Sequence, residues 1–177
     1  MTALLAVIDV QRVFADPSSP WGAPRFAQVH PAIRRLVAGF PGRVVRTRFV
    51  APAEPAGAWV AYYEQFPFAL AAPDDPLYAL LDDPGDDPVL TATTFGKWGP
   101  QLAALAGDGP LVLAGVSTDC CVLSTALPAA DAGVGVQVVT DACAGATDAD
   151  HERALAAMSL YAPLITLTTT DAVLAGR

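Results

Sequence analysis

The join between Pro110 and Val122 constrains the fold most. An apolar run, Pro110-Leu111-Val112-Leu113-Ala114, leads into Gly115-Val116-Ser117-Thr118-Asp119-Cys120-Cys121-Val122, and Leu123 to Ala132 continues with helical character. Such a run reads as a strand buried on both faces of a parallel sheet. A buried strand that passes directly into a helix belongs to a layered α/β fold. The join also places two cysteines at a helix N-terminus. Unpaired N–H groups and the positive end of the helix dipole favour a thiolate there. A thiol so placed is a candidate nucleophile, although the stretch alone equally allows two buried structural cysteines.

The remainder of the chain repeats the alternation. Ala3 to Val10, Gly42 to Val50, Val89 to Thr94, Gly109 to Gly115, Gly135 to Thr140 and Leu164 to Thr169 read as six strands. Helical spacing marks Pro31 to Phe40, Pro76 to Leu81, Pro100 to Ala106, Asp119 to Ala132 and Asp148 to Tyr161, the last with Thr147 as N-cap. Pro128 should kink the helix after the cysteines by removing a hydrogen bond. Six strands alternating with helices, without repeats or a composition break, predict one three-layer α/β/α domain over residues 1–177. Trp59 to Phe68 is dense in aromatic residues and reads as a lid, a subunit contact or ordinary helix packing.

Composition narrows the function. The net charge is -8 and the ten basic residues are scattered, so a nucleic-acid partner is not expected. Three cysteines, two of them adjacent, do not make a disulfide framework and suit a reducing cytoplasm. The apolar N-terminal run stops at Asp9, too short to cross a membrane and without a basic leader.

Asp9 should stand at the C-terminal edge of strand one, where open α/β sheets bind ligands; a helix cap is the commoner use of such an Asp, but it does not explain the Gln11 and Phe14 that follow. Lys97 follows strand three and, alone, reads as a solvated surface lysine. With Asp9-Val10-Gln11 and the Gly115 to Val122 stretch, these residues make the chain resemble the isochorismatase-like cysteine hydrolase superfamily. Asp141-Ala142-Cys143 and His151-Glu152-Arg153-Ala154-Leu155 resemble that group's later stretches, so the likeness runs from about Leu4 to Leu174.

The resemblance implies a parallel six-stranded sheet of order 3-2-1-4-5-6. It implies a catalytic set of Asp9, Lys97 and Cys121, and a cis peptide between Val116 and Ser117. The Ser117 and Cys121 N–H groups would form an oxyanion hole. The family's metal-dependent nicotinamidases carry Asp-x-His and a further His after strand two. Here Thr47-Arg48-Phe49-Val50-Ala51-Pro52 has no His, and His30 and His151 read as surface helix-end residues. The chain is therefore most similar to the metal-independent branch that includes N-carbamoylsarcosine amidohydrolase, and no metal or cofactor is expected. Phe14, Trp98 and Arg48 are the candidate substrate contacts, with a structural ion pair as the other reading of Arg48. Cys143 reads as a packed core thiol. Because successive helical residues turn by ~100°, only one of the two adjacent thiols should face the crevice, and the family spacing selects Cys121.

The expected function is cysteine hydrolysis of a C–N bond in a small amide or ureido substrate through a thioester. The alternatives are vinyl-ether hydrolysis of the isochorismatase type, a non-catalytic binding protein, or a thiol redox sensor. A homo-oligomer, dimer or tetramer, is expected from the resemblance.

Overall fold

The computed structural model describes residues 2–177. The strands are β1 (Leu4–Ile8), β2 (Val44–Phe49), β3 (Val89–Ala92), β4 (Leu111–Val116), β5 (Val136–Ala144) and β6 (Ile165–Thr168). All pair in parallel in one sheet of order β3-β2-β1-β4-β5-β6. The helices are α1 (Arg12–Ala15), α2 (Phe26–Gly39), α3 (Ala58–Gln65), α4 (Pro100–Ala106), α5 (Leu123–Asp131), α6 (Asp148–Ser159) and α7 (Thr170–Ala175). This is the expected three-layer α/β/α arrangement.

Strand alternation builds the layers. In β1, Leu5 and Val7 join one core cluster with Phe26, Val29, Ile33 and Leu36 of α2 and Val173 of α7. Leu4, Ala6 and Ile8 point the other way, toward Leu102 of α4, Ala126 and Ala129 of α5, and Met158 of α6. A strand covered on both faces must be apolar throughout, and all five β1 residues are buried.

Several helix boundaries differ from expectation: Pro76 to Leu81 forms only a 3₁₀ turn over Pro76–Tyr78, and α6 ends at Ser159 rather than Tyr161. α2 begins at Phe26 rather than Pro31, because Phe26 and Val29 extend the buried stripe of Ile33 and Leu36 while Pro31 sits inside the helix. Proline is an ordinary helix-start signal, which is why it misleads here. The segment after β4 does not open as an α-helix. Thr118–Val122 forms a wide π-type turn, and α5 starts only at Leu123.

The ligand edge is set where β1 and β4 run side by side and the strand order reverses. Ile8 pairs with Gly115. Gly115 has φ 121°, and a Cβ there would lie 2.2 Å from the Ile8 carbonyl oxygen. Both the angle and the contact exclude a side chain. Gly115→Ala should therefore destabilise the fold by about 3 kcal/mol or more, read as a lower denaturation midpoint in urea.

Candidate active site

Asp9 follows the last residue of β1 and is fully buried. Its φ of 48° is the one positive value at a non-glycine among the described residues. Short polar side chains tolerate this left-handed conformation best. Thr47, on the neighbouring β2, fixes it twice. The Asp9 N–H donates to Thr47 Oγ1 at 3.1 Å, and the Thr47 hydroxyl donates to Asp9 Oδ1 at 2.6 Å.

The loop after β3 brings in Lys97. Its Nζ lies 2.9 Å from Asp9 Oδ2, and the two side chains are 1% and 0% exposed. The ammonium also donates to the Thr94 carbonyl at 2.7 Å and sits 5.4 Å from the Phe49 ring centroid, a cation–π contact. The loop lies tight on α5: a Cβ on Gly96 would come within 2.5 Å of the Ser124 carbonyl oxygen. Pro128, four residues on from Ser124, has no N–H to offer that carbonyl. Thr125 joins the loop to the turn. It accepts from the Lys97 N–H at 3.0 Å and donates to the Cys121 carbonyl at 2.7 Å.

The wide turn carries Cys121 over this pair. The Val116–Ser117 peptide is cis. Cys120 and Val122 donate backbone N–H groups to the Ser117 carbonyl at 3.3 and 3.0 Å, with the Cys121 N–H left outside that pairing. Burial pushes the Cys121 thiol well above its ordinary pKa, the Asp9 carboxylate adds to the rise, and Lys97 offsets part of it. Burial and the facing carboxylate both act against the thiolate that an isolated cysteine at a helix N-terminus would favour.

Above the three side chains opens a cavity of about 370 Å³. Its walls include Phe14, Trp21, Phe49, Tyr62, Phe66 and Phe95, and Ser117, Cys120 and Cys121 line it as well. No Asp, Glu, Lys or Arg is among the lining residues. Both adjacent cysteines are among the lining residues, but Asp9 and Lys97 act on the Cys121 thiol and not on that of Cys120. Their surroundings still differ. Cys120 Sγ lies 3.6 Å from Asp119 Oδ2, and burial and that carboxylate raise its pKa to about 11.

The isochorismatase domain model matches residues 2–171. The chain belongs to the isochorismatase family. Isochorismatase domain-containing protein 2 of Xenopus laevis is 35% identical over 88 residues, a match spanning 48% of this chain and 42% of that protein. Two solved structures share the fold. A cysteine hydrolase from Pseudomonas syringae pv. phaseolicola 1448A has TM-score 0.85 at 19% identity, covering 98% of this chain and 91% of that one. A pyrazinamidase of Pyrococcus horikoshii in complex with zinc has TM-score 0.76 at 22% identity, covering 94% and 98%.

The residues here do not fit a metal. Among those described, no three or more His, Cys, Asp or Glu side chains group to hold an ion. In the stretch after Asp9's partner Thr47, Phe49, Val50 and Ala51 are buried and apolar. His30 pairs with Asp82 at 2.7 Å. His151 is buried rather than on the surface: its Nδ1 lies 2.8 Å from Thr118 Oγ1, so Thr118 holds α6 instead of capping the turn.

Of the candidate substrate contacts, Phe14 lines the cavity, whereas Arg48 and Trp98 do not. The Arg48 guanidinium donates to the Pro73 carbonyl at 2.7 Å, in place of the expected ion pair or a substrate contact. Trp98 packs against the core on the α4 side. The aromatic segment resolves into α3 and a 3₁₀ turn, Pro67–Ala69, with Tyr62 and Phe66 forming cavity wall. Thr47, Thr125 and Trp21 escape sequence reasoning, since a threonine inside a strand or helix and a tryptophan in a Pro/Gly-rich loop carry no motif.

The buried His151 has a testable consequence. Desolvation, the largest cause, lowers its pKa from 6.5, with Arg25 lowering it further against the opposing charges of Glu152, Asp148 and Asp119. The unfolded chain then binds the proton first on acidification, so the stability from burying neutral His151 is present above pH 6.5 and lost as pH falls below it. His151→Gln should flatten the fall in thermal midpoint from about pH 6.5 to about pH 5 relative to the parent protein.

Proposed function

We propose that this chain is a metal-independent cysteine hydrolase that cleaves the C–N bond of a small uncharged amide through a thioester on Cys121. The observation that carries this reading is the convergence of Asp9 and Lys97 on Cys121, the one of the three that lines the apolar cavity. The thiol passes its proton to Asp9 as sulfur attacks the substrate carbonyl carbon. The oxyanion is met by the N–H groups of Ser117 and Cys121. Asp9 returns the proton to the departing nitrogen, and the C–N bond breaks. Water then attacks the thioester with Asp9 again as base, releasing the acid and restoring the thiol. Lys97 holds Asp9 in place and balances the negative charge as it moves between oxygen and sulfur.

The cavity walls favour this over vinyl-ether hydrolysis of an isochorismate-like dicarboxylate. A buried carboxylate needs a cation or several donors. The lining offers no charged side chain, and Lys97 is already spent on Asp9. Vicinal disulfide chemistry is also disfavoured, because adjacent Cα atoms lie only ~3.8 Å apart, below the usual span of a disulfide.

Cys121→Ala should lower turnover of a responsive amide by roughly 10³-fold or more, with the fold intact by circular dichroism. Cys120→Ala should keep most of the activity, and an acyl adduct trapped by acid quench should map to Cys121 by mass spectrometry. An adduct on Cys120 would reverse the assignment. Dialysis against a chelator should leave the rate of the parent protein unchanged. Loss of activity on chelation, restored by a divalent ion, would refute the metal-independent route.

A further inference from the structure

The shape and lining of the cavity say more about the acyl group than the reaction alone requires. A cavity of ~150 Å³ suffices for a single benzene ring, and this one is about 370 Å³. Trp21 is the hub of its wall. The Trp21 ring lies 5.0–6.1 Å, centroid to centroid, from those of Phe14, Phe49, Tyr62, Phe66 and Phe68. These spacings are those of favourable aromatic contacts.

The wall is also preorganised. Trp21 sits in a loop whose Ala23 N–H donates to the Phe14 carbonyl at 2.9 Å and whose Gly22 N–H donates to the Ser19 carbonyl at 2.9 Å. The backbone N–H of Trp21 donates to Ser19 Oγ at 3.2 Å, while its buried indole Nε1 has no hydrogen-bond partner. A Cβ on Gly22 would lie 2.3 Å from the Asp16 carbonyl oxygen, so the loop is folded tightly on itself. A held aromatic platform gives up little entropy when a flat ligand lands on it.

From these observations we infer that the site selects an uncharged amide whose acyl group is a fused bicyclic aromatic or a comparably bulky apolar group, and that Trp21 is the residue that sets this preference. The inference rests on the amide hydrolysis proposed above, and its test separates the two. A one-ring acyl group leaves much of the aromatic wall uncovered. A carboxylated acyl group meets no cation in the lining.

Two measurements decide it. Turnover by the parent protein is compared for naphthalene-2-carboxamide, benzamide and N-carbamoylglycine. Binding of the same three compounds to Cys121→Ala is measured by calorimetry. The expected result is kcat/KM for the naphthyl amide at least about tenfold above benzamide, a further loss for N-carbamoylglycine, and the same order in binding. Trp21→Ala should then reduce the naphthyl-to-phenyl ratio of kcat/KM by about tenfold, whereas a merely structural role would lower both rates together. If no amide is turned over but the naphthyl compound still binds Cys121→Ala most tightly, the cavity inference stands and the amide reaction falls. If benzamide or N-carbamoylglycine is both bound and turned over better, the inference is overturned and the amide reaction survives. Failure of all three to bind also overturns it.

Discussion

The Asp9–Lys97 ion pair lies at the C-terminal edge of the sheet, its side chains 0% and 1% exposed. Removing both charges from water costs several kcal/mol per ion after relaxation, so such a pair persists only where its surroundings answer for it. Here they do so from three directions. Thr47 on β2 donates to one carboxylate oxygen, Lys97 faces the other, and the Thr94 carbonyl and Phe49 ring take up the rest of the ammonium. A buried ion pair is weak evidence for stability, because apolar residues of the same volume are often at least as stable. Its presence is better explained by what it does to the neighbouring thiol. Asp9 makes Cys121 harder to ionise at rest, and Lys97 limits that penalty.

The backbone around this pair is arranged for close approach. Gly115 lets β4 lie against Ile8, directly before Asp9, and Gly96 lets the Lys97 loop lie on α5. The π-type turn between them delivers Cys121 to the same point. The turn is anchored at its far side as well, by Thr118 to His151 and by the Asp119 carboxylate, which accepts from the Ala146 N–H at 2.9 Å. The end of β1, β2, the Lys97 loop and the π-type turn thus meet around Asp9 and Cys121. Each junction relies on a residue too small or too polar to count as core by composition alone.

The strands were legible because a parallel sheet covered on both faces demands continuous apolar runs, and β1 and β4 supply them. The expected sheet order came from family resemblance, since periodicity says nothing of how strands are arranged. Asp9, Lys97 and Cys121 could be singled out as a set only through the family resemblance, since Asp9 alone reads as a helix cap and Lys97 alone as a surface lysine. The wide turn could not be foreseen, because the choice between α and π hydrogen bonding at Thr118–Val122 is settled by the Ser117 carbonyl and not by helix propensity. The burial of His151 was hidden for a similar reason. Its partner, Thr118, lies 33 residues away on another element. The cavity was the least legible part, since Trp21 acquires meaning only when its loop folds back onto α1 and faces α3.

One physical condition links the buried ion pair to the apolar walls of the cavity. In a site that excludes water, the attraction between Asp9 and Lys97 and the penalty on a free thiolate both grow as the effective dielectric falls. The aromatic walls and the lack of solvent around the ion pair therefore work together. Both push the Cys121 thiol in the same direction, against ionisation. A flat apolar acyl group that fills the cavity would displace the remaining water and strengthen both interactions further. Binding energy from the unreactive end of such a substrate can then be used at the reacting carbonyl, where charge moves from sulfur to oxygen between fixed groups.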